Sequence, residues 1–505
     1  MDNFIELIRE VTKKYGDKVF LTSIEDGRTF TYKEFDDTVN QYANYILSLG
    51  LKKGDTISVS GWNIPEFLLL FFGGLKTGIL VNAIGPLLSG EEVKFSVENS
   101  ESKFLFIESI LIEKLKDVKL KVDVVSIGEK EGYSDIMEEI EKQPKEFDGE
   151  VSGEDKALMI YTSGTTGKPK GIILKQKNLI AWLPPATKAW NITDKDVSYN
   201  VMPLSHVVGL VIMGLLPYYN GGGIALRRKF SKSNFWNEAE KYKVTYTDVV
   251  PTIMTMLLNP PEDIKKYDLS HFRLFVSSSA PLPVPTLIEF EKTFGFFVYE
   301  CYGLSECVAF SHVLPITPEK QVKGSIGIPI EGLDSAVFDS NDKEVKDGEV
   351  GEIVMKGDIV FDGYFKRDEA NKEAFANGWF HTGDLAYRDK KGYYFLKGRR
   401  KEIIIRGGEN LSPLEIDDVV QKYTKVKEVA TIGVPDKLYG EEIKSYVVLK
   451  EGEKCTEQEI IEFCKKHLAP FKVPRMVEFI DVIPKNPTGK LLRRELLSMH
   501  KAKNQ

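Results

Sequence analysis

Up to residue 340, strand-length apolar runs take turns with helically spaced segments, and this alternation constrains the fold more than any other feature. Residues 32–49 carry helical spacing, and Thr31 stands where a side-chain oxygen can cap that helix. Residues 56–60 then read as a strand and residues 64–75 as a second helix. The pattern returns at 246–251, 274–278 and 297–299, the last two flanking a helical stretch over 284–294. Strands separated by helices pair mainly in parallel, and the helices cover both faces of the sheet. The expected class is therefore α/β, with a large N-terminal region of mainly parallel sheets flanked by helices. After residue 340 the texture changes to short strands at 348–353 and 392–396, then helices over 412–422 and 456–468. That part reads as a smaller α+β unit at the C-terminal end.

Composition narrows the function classes. The chain has 505 residues, 42 % of them hydrophobic, which is ample for a sizeable core. Seventy-five acidic residues against 68 basic ones give a net charge of −7, which argues against a broad nucleic-acid surface. The cysteines, Cys301, Cys307, Cys455 and Cys464, are too few and scattered for a disulfide scaffold and fail the usual zinc spacings. The six histidines show no paired spacing either. No signal-peptide core opens the chain, and the strongest apolar run, residues 67–75, has about half the length needed to cross a bilayer. A cytoplasmic protein without stable membrane insertion is expected.

The most informative segment for chemistry spans residues 161–171, Tyr-Thr-Ser-Gly-Thr-Thr-Gly-Lys-Pro-Lys-Gly. It follows the apolar run 157–160, a strand by length and content. Small residues such as Gly164 and Gly167 let main-chain N–H groups approach phosphate oxygens, and Thr162, Ser163, Thr165 and Thr166 add hydroxyl donors. Lys170 can meet the charge of a triphosphate tail. A Walker A loop would place a serine or threonine after Gly-Lys, but Pro169 stands there, so this is a different phosphate loop.

Further constellations lie downstream. In Cys301-Tyr302-Gly303-Leu304-Ser305-Glu306, an aromatic ring beside glycine can stack on a flat base, and the carboxylate can bind magnesium. Gly383-Asp384 offers a carboxylate able to accept from two neighbouring hydroxyls, although such a pair taken alone reads as a turn. The run Lys397-Gly398-Arg399-Arg400-Lys401-Glu402 is a charged stretch of the kind that often forms a solvated turn. Lys490 follows Pro-Thr-Gly close to the C-terminus. No histidine pairs with a serine and an aspartate in a known triad order, so hydrolase chemistry is not supported.

The eleven-residue loop resembles the phosphate loop of the adenylate-forming superfamily. That group contains acyl- and aryl-CoA synthetases, adenylation domains of nonribosomal peptide synthetases, and firefly luciferases. The resemblance covers nearly the whole chain, because further family segments recur in order at 277–282, 302–306, 378–385, 397–410 and 487–490. It implies ATP, Mg2+ and CoA as cofactors. Besides Thr162, Ser163, Gly164, Thr165, Thr166, Gly167 and Lys170, it places Ser279, Ala280, Pro281, Cys301, Tyr302, Gly303 and Ser305 along the nucleotide. Tyr302 is expected to pack on adenine, Glu306 to hold the metal, Asp384 to bind the ribose hydroxyls, and Arg399 to contact ribose and phosphate. Lys490 matches the catalytic lysine, whose ammonium would bridge the substrate carboxylate and the α-phosphate.

The same resemblance implies two domains, 1–400 binding nucleotide and acid, and a small mobile C-terminal domain over 401–505 that carries the catalytic lysine. Lys401 would be the hinge, and the Gly407-Gly408 turn would swing toward CoA for the second half-reaction. His206 resembles the residue that CoA ligases place beside the acyl pocket, with Val207, Ser277, Ser278, Ser279, Cys307, Val308 and Ala309 as further pocket candidates. Ser305, Asn377 and Glu402 depart mildly from the commoner threonine, aspartate and aspartate. The activity implied is ATP-dependent ligation of a fatty or aromatic carboxylic acid to CoA through an acyl-adenylate. The alternative is a stand-alone adenylation enzyme that loads an acyl carrier protein.

Overall fold

The computed structural model describes residues 3–162, 169–258, 264–485 and 490–503. Its first helices form where the sequence places them. Tyr32–Ser48 opens on a reciprocal cap: Glu34 N–H donates to Thr31 Oγ1 at 3.1 Å, and Thr31 N–H to Glu34 Oε2 at 2.8 Å. The helix Pro65–Thr77 is buried along its whole length. Its apolar run therefore serves as a core element, and among the described residues no helix is long and apolar enough to cross a membrane.

Two large sheets organise the N-terminal part, as the α/β alternation requires. One is nine-stranded, and its central strands Leu274–Ser277, Tyr246–Val249, Val197–Asn200 and Gly223–Leu226 run parallel. The other is seven-stranded and parallel except where Lys156–Thr162 meets Lys170–Lys175 in an antiparallel pair. A four-stranded antiparallel sheet follows, Asp334–Phe338, Gly351–Lys356, Phe380–Arg388 and Tyr394–Arg399. The C-terminal part has a five-stranded sheet built on the long hairpin Val426–Asp436 and Gly440–Leu449.

Apolar packing changes hands near residue 400. The main core takes its last buried member at Tyr394, whereas Ile404, Leu411, Ile416 and Ile443 belong to a separate cluster. A second C-terminal cluster joins Ala430, Ile432 and Tyr446 to Leu496 on the helix Arg493–Lys503.

Several element boundaries differ from the sequence reading, each for a local reason. The strand expected over 246–251 stops at Val249, because Pro251 lacks an N–H and opens the helix Pro251–Leu257 instead. The strand expected at 348–353 starts at Gly351, since Gly348 has a φ of 91° and makes the turn before it. The strand expected at 392–396 runs over Tyr394–Arg399, so the charged stretch begins inside a sheet rather than as a solvated turn.

Candidate active site

The strand Val197–Asn200 has the next strand, Gly223–Leu226, on one side and Tyr246–Val249 on the other. Where the order of a parallel sheet reverses in this way, a crevice opens beyond the carboxyl ends of the strands. His206 follows that strand directly and lines a cavity of about 1330 Å³. Its N–H donates to Pro203 O at 3.0 Å, and its Nδ1 accepts from Val208 N–H at 3.3 Å, so a neutral ring carries its proton on Nε2. Burial, then the charge of Lys490, pushes the imidazole down to a pKa of about 4. The segment that follows, Val208–Leu215, is a π-helix, a form that is rare and concentrated at functional sites. Only glycine fits at 209, where a Cβ would lie 2.3 Å from Pro203 O.

Lys490 lines the same cavity although it belongs to the C-terminal part. The chain on both sides of it is anchored. Arg493, just beyond it, donates to Thr431 O at 3.0 Å and pairs with Asp417 at 2.5 Å. Lys485, before it, pairs with Glu428 and donates to Thr252 Oγ1 at 3.1 Å, a contact that crosses to the helix Pro251–Leu257. Burial pushes the Lys490 ammonium down to a pKa of about 8. Arg399 adds to this, and Asp384, Glu402 and Glu306 oppose it.

Glu306 is buried, and its Oε1 accepts from Tyr364 Oη at 2.9 Å. Burial raises its pKa, while Tyr364, Arg399 and Lys490 oppose the rise. Lys170 Nζ lies 4.5 Å from the centre of the Tyr364 ring. Lys170, Arg399, Lys401 and Lys490 thus line one cavity together with the buried carboxylate of Glu306, an arrangement suited to a polyanion that arrives with its own cation. Thr162, at the end of its strand, also lines the cavity. Ser163, Gly164, Thr165, Thr166 and Gly167 lie outside the described residues.

Asp384 and Tyr302 are buried at the edge of the cavity, next to its lining residues Thr382, Gly383, Cys301 and Gly303. Tyr302 Oη donates to Asp384 Oδ2 at 2.8 Å, and Arg399 Nε pairs with Oδ1 at 3.1 Å. Each carboxylate oxygen keeps a second lone pair, so these partners leave room for two more donors. Cys301, Gly303 and Ser305 line the cavity with Ser278 and Ser279, whereas Ala280 and Pro281 follow on the loop outside it. Val207 lines the cavity too.

Three pocket candidates are displaced from the cavity. Ser277 is buried but does not line it. Cys307 and Val308 are turned into the core, because the single turn Ser305–Cys307 and a φ of 69° at Val308 reverse the chain there. Ala309, itself a candidate, lines the cavity as expected, and Phe310 joins it there. Gly407 and Gly408 are exposed, with φ of 59° and 88°, and do not reach the cavity; Gly407 N–H donates to Tyr439 O at 2.8 Å. Lys401 sits in the single turn Arg400–Glu402. Two contributors had no motif in the sequence, Tyr364 and Asp248. The second left one trace, an acidic residue within an apolar strand.

A switch-point crevice lined by cations and a buried carboxylate defines a nucleotide-dependent enzyme that handles anions. The chain belongs to the AMP-binding enzyme family: that family's sequence pattern matches residues 8–365, and the pattern of the AMP-binding enzyme C-terminal domain matches residues 415–490. A sulfoacetate–CoA ligase of Cupriavidus necator is 34 % identical over 98 % of each chain. An oxalate–CoA ligase of Arabidopsis thaliana is 33 % identical, again over 98 % of each. The ATP-bound crystal structure of MatB from Rhodopseudomonas palustris superimposes with a TM-score of 0.91 at 27 % identity, covering 100 % of both chains. Enzymes of this family are AMP-forming acid–thiol ligases, and its CoA ligases use ATP, Mg2+ and CoA.

Proposed function

We propose that this protein is an ATP-dependent, AMP-forming carboxylic acid–CoA ligase whose residues are arranged for the first half-reaction, formation of an acyl-adenylate. One observation carries the reading: Lys490, from the C-terminal part, lies in the cavity that also holds His206, Glu306 and Arg399. A carboxylate oxygen attacks the α-phosphorus of ATP and pyrophosphate leaves. Lys490 opposes the negative charge as two anions are brought together. Arg399 and Lys170 hold the phosphates, and Asp384 takes the ribose hydroxyls on its remaining lone pairs. His206 closes the acyl side as a neutral ring.

Glu306 fits Mg2+. Among the described residues no group of three or more His, Cys, Asp or Glu side chains could hold a metal. A lone buried carboxylate that shares the ion with phosphate oxygens is the usual way Mg2+ is bound. The ion supplies neutralisation of phosphate charge.

For the second half-reaction, the part beyond residue 400 turns about Lys401. This withdraws Lys490 and brings Gly407 and Gly408, now exposed, to the adenylate. The separate C-terminal cores support a boundary there. The thiol of CoA then attacks the acyl carbonyl and AMP leaves.

The acid is a carboxylic acid of the acyl or aryl class, in line with the fatty or aromatic acid the sequence suggests. Phe310 lines the cavity and is backed by Trp182 and Trp190 at ring-centre distances of 4.8 and 4.4 Å. The recess cannot lengthen there without displacing two fully buried indoles. Relatives are named for the small acids sulfoacetate and oxalate and also for a long-chain fatty acid. We place the protein in the cytoplasm. The test is pyrophosphate release with ATP and a panel of acids, followed by product analysis with CoA or an acyl carrier protein as acceptor. Acyl-CoA formation supports this reading, and acylation of the carrier protein alone would replace it with the adenylation-enzyme alternative.

A further inference from the structure

Behind the acyl wall of the cavity sits a carboxyl group that the reaction above does not use. Asp248, in the strand Tyr246–Val249, is fully buried, and its Oδ2 has no hydrogen-bond partner among the described residues. Its Oδ1 accepts from Ser278 Oγ at 2.7 Å. The parallel register sets Asp248 beside Val276, so Ser278, two residues on, projects from the same face of the sheet. Ser278 lines the cavity, and Ser279 and Cys301 line it as well. Ser279 Oγ is also buried without a partner among the described residues, on a residue held at a φ of 68°.

The direction of one hydrogen bond gives this wall its character. With Asp248 ionised, or with its proton on Oδ2, its Oδ1 can only accept. The Ser278 hydrogen therefore points into the protein, and the Ser278 lone pairs remain for the cavity, one side shared with the weak thiol donor of Cys301. Burial pushes the Asp248 carboxyl up to a pKa of about 7, which agrees with a site that has no cation beside it. Among the described residues, the cations lining the cavity come from Lys170 and from residues 399 onward, not from the strands that carry Asp248, Ser278 and Cys301. A second carboxylate or a sulfonate would find no counter-charge on this wall.

We propose that the Asp248–Ser278 wall is an acceptor subsite, which selects carboxylic acids bearing a hydroxyl or amino donor over plain acids of the same length and over diacids. This rests on the ligase reading above. Ser278 is the residue that touches the substrate, and Asp248 is a positioning residue that fixes which way the Ser278 hydroxyl points. A site built to satisfy a donor discriminates strongly against an analogue that lacks it, because the buried acceptors are then left unpaired.

The test measures kcat/KM for pyrophosphate release with two matched sets, propionate, β-hydroxypropionate, β-alanine and malonate, and butyrate, γ-hydroxybutyrate, γ-aminobutyrate and succinate. The parent enzyme is expected to prefer a donor-bearing acid in at least one set by about tenfold or more. Ser278→Ala should bring that ratio toward one, Ser278→Thr should retain it, and Asp248→Asn should lower it. The ratio is read within each variant, so a general loss of stability or rate does not move it. Preference for the plain acids or the diacids overturns the proposal, and so does an unchanged ratio in Ser278→Ala. Absence of pyrophosphate with every acid of both sets overturns this proposal, whereas the ligase assignment is judged separately by the wider panel of acids described above.

Discussion

The ammonium of Lys490 lies close enough to the imidazole of His206 for its charge to add to burial in holding that ring neutral, at a pKa of about 4. The two residues are separated by most of the chain and come from parts with separate cores, so their meeting marks which of two half-reactions this arrangement serves. In the proposed function, a lysine in this cavity serves adenylate formation.

Lys490→Ala should therefore cost about 10²–10³ in the rate of pyrophosphate release, the usual loss for one preorganised donor. Transfer to CoA from a supplied acyl-adenylate should be largely spared, because Lys490 withdraws in that step. Both half-reactions are to be measured on the same preparation. Equal losses in the two would place Lys490 outside the first step.

The same lysine predicts a pH limb. Its pKa is lowered to about 8, and it must be protonated to oppose the negative charge of ATP and acid. The protonated fraction of the free enzyme is nearly complete below pH 7 and falls about tenfold per unit well above 8. The kcat/KM for adenylation should decline as pH rises through 8, and kcat should decline later, because bound ATP favours the charged form. The check is a pH–rate profile of pyrophosphate release, with Lys490→Arg, whose charge persists, lacking this limb.

Glu306→Gln keeps the shape of the side chain and the Tyr364 contact but removes the negative charge. The concentration of Mg2+ giving half-maximal rate should rise about tenfold, and added Mg2+ should recover part of the activity. A variant that titrates with Mg2+ as the parent does would show that Glu306 is not a ligand.

Lys401→Pro addresses the turn between the parts. Lys401 is exposed within the single turn Arg400–Glu402, so proline there fixes φ near −65° without opening a core. Pyrophosphate release should survive, while acyl-CoA formation should fall about tenfold or more. Acyl-CoA made at the parental rate would mean that the rotation does not pivot at this residue.

The α/β class was legible from local residue order, and so were Glu306, Arg399 and Lys490, which the structure brings to one cavity. Apolar periodicity sets which face of an element is buried, and a phosphate loop or a Gly-Lys turn is recognised over a few consecutive residues. The acyl pocket was less legible. Cys307 and Val308 follow the Glu306 motif directly, yet the backbone reversal at Val308 sends both into the core and leaves Ala309, itself a candidate, on the cavity with Phe310.

By itself the sequence determined the order of strands and helices, the caps that start them, and the chemical groups available for nucleotide and acid. Those depend on neighbours within one turn or one strand, where hydrogen bonds and side-chain sterics act over a few residues. Only the tertiary structure decided that Lys490 meets His206, that Tyr364 reaches Glu306, and that Asp248 stands behind Ser278. Each of these pairs joins residues distant in the chain, and their distance and burial are set by sheet register and by how two separate cores dock. The shifted pKa values of Lys490, His206 and Asp248 follow from that enclosure. No short stretch of sequence encodes them, because desolvation is a property of everything packed around a group.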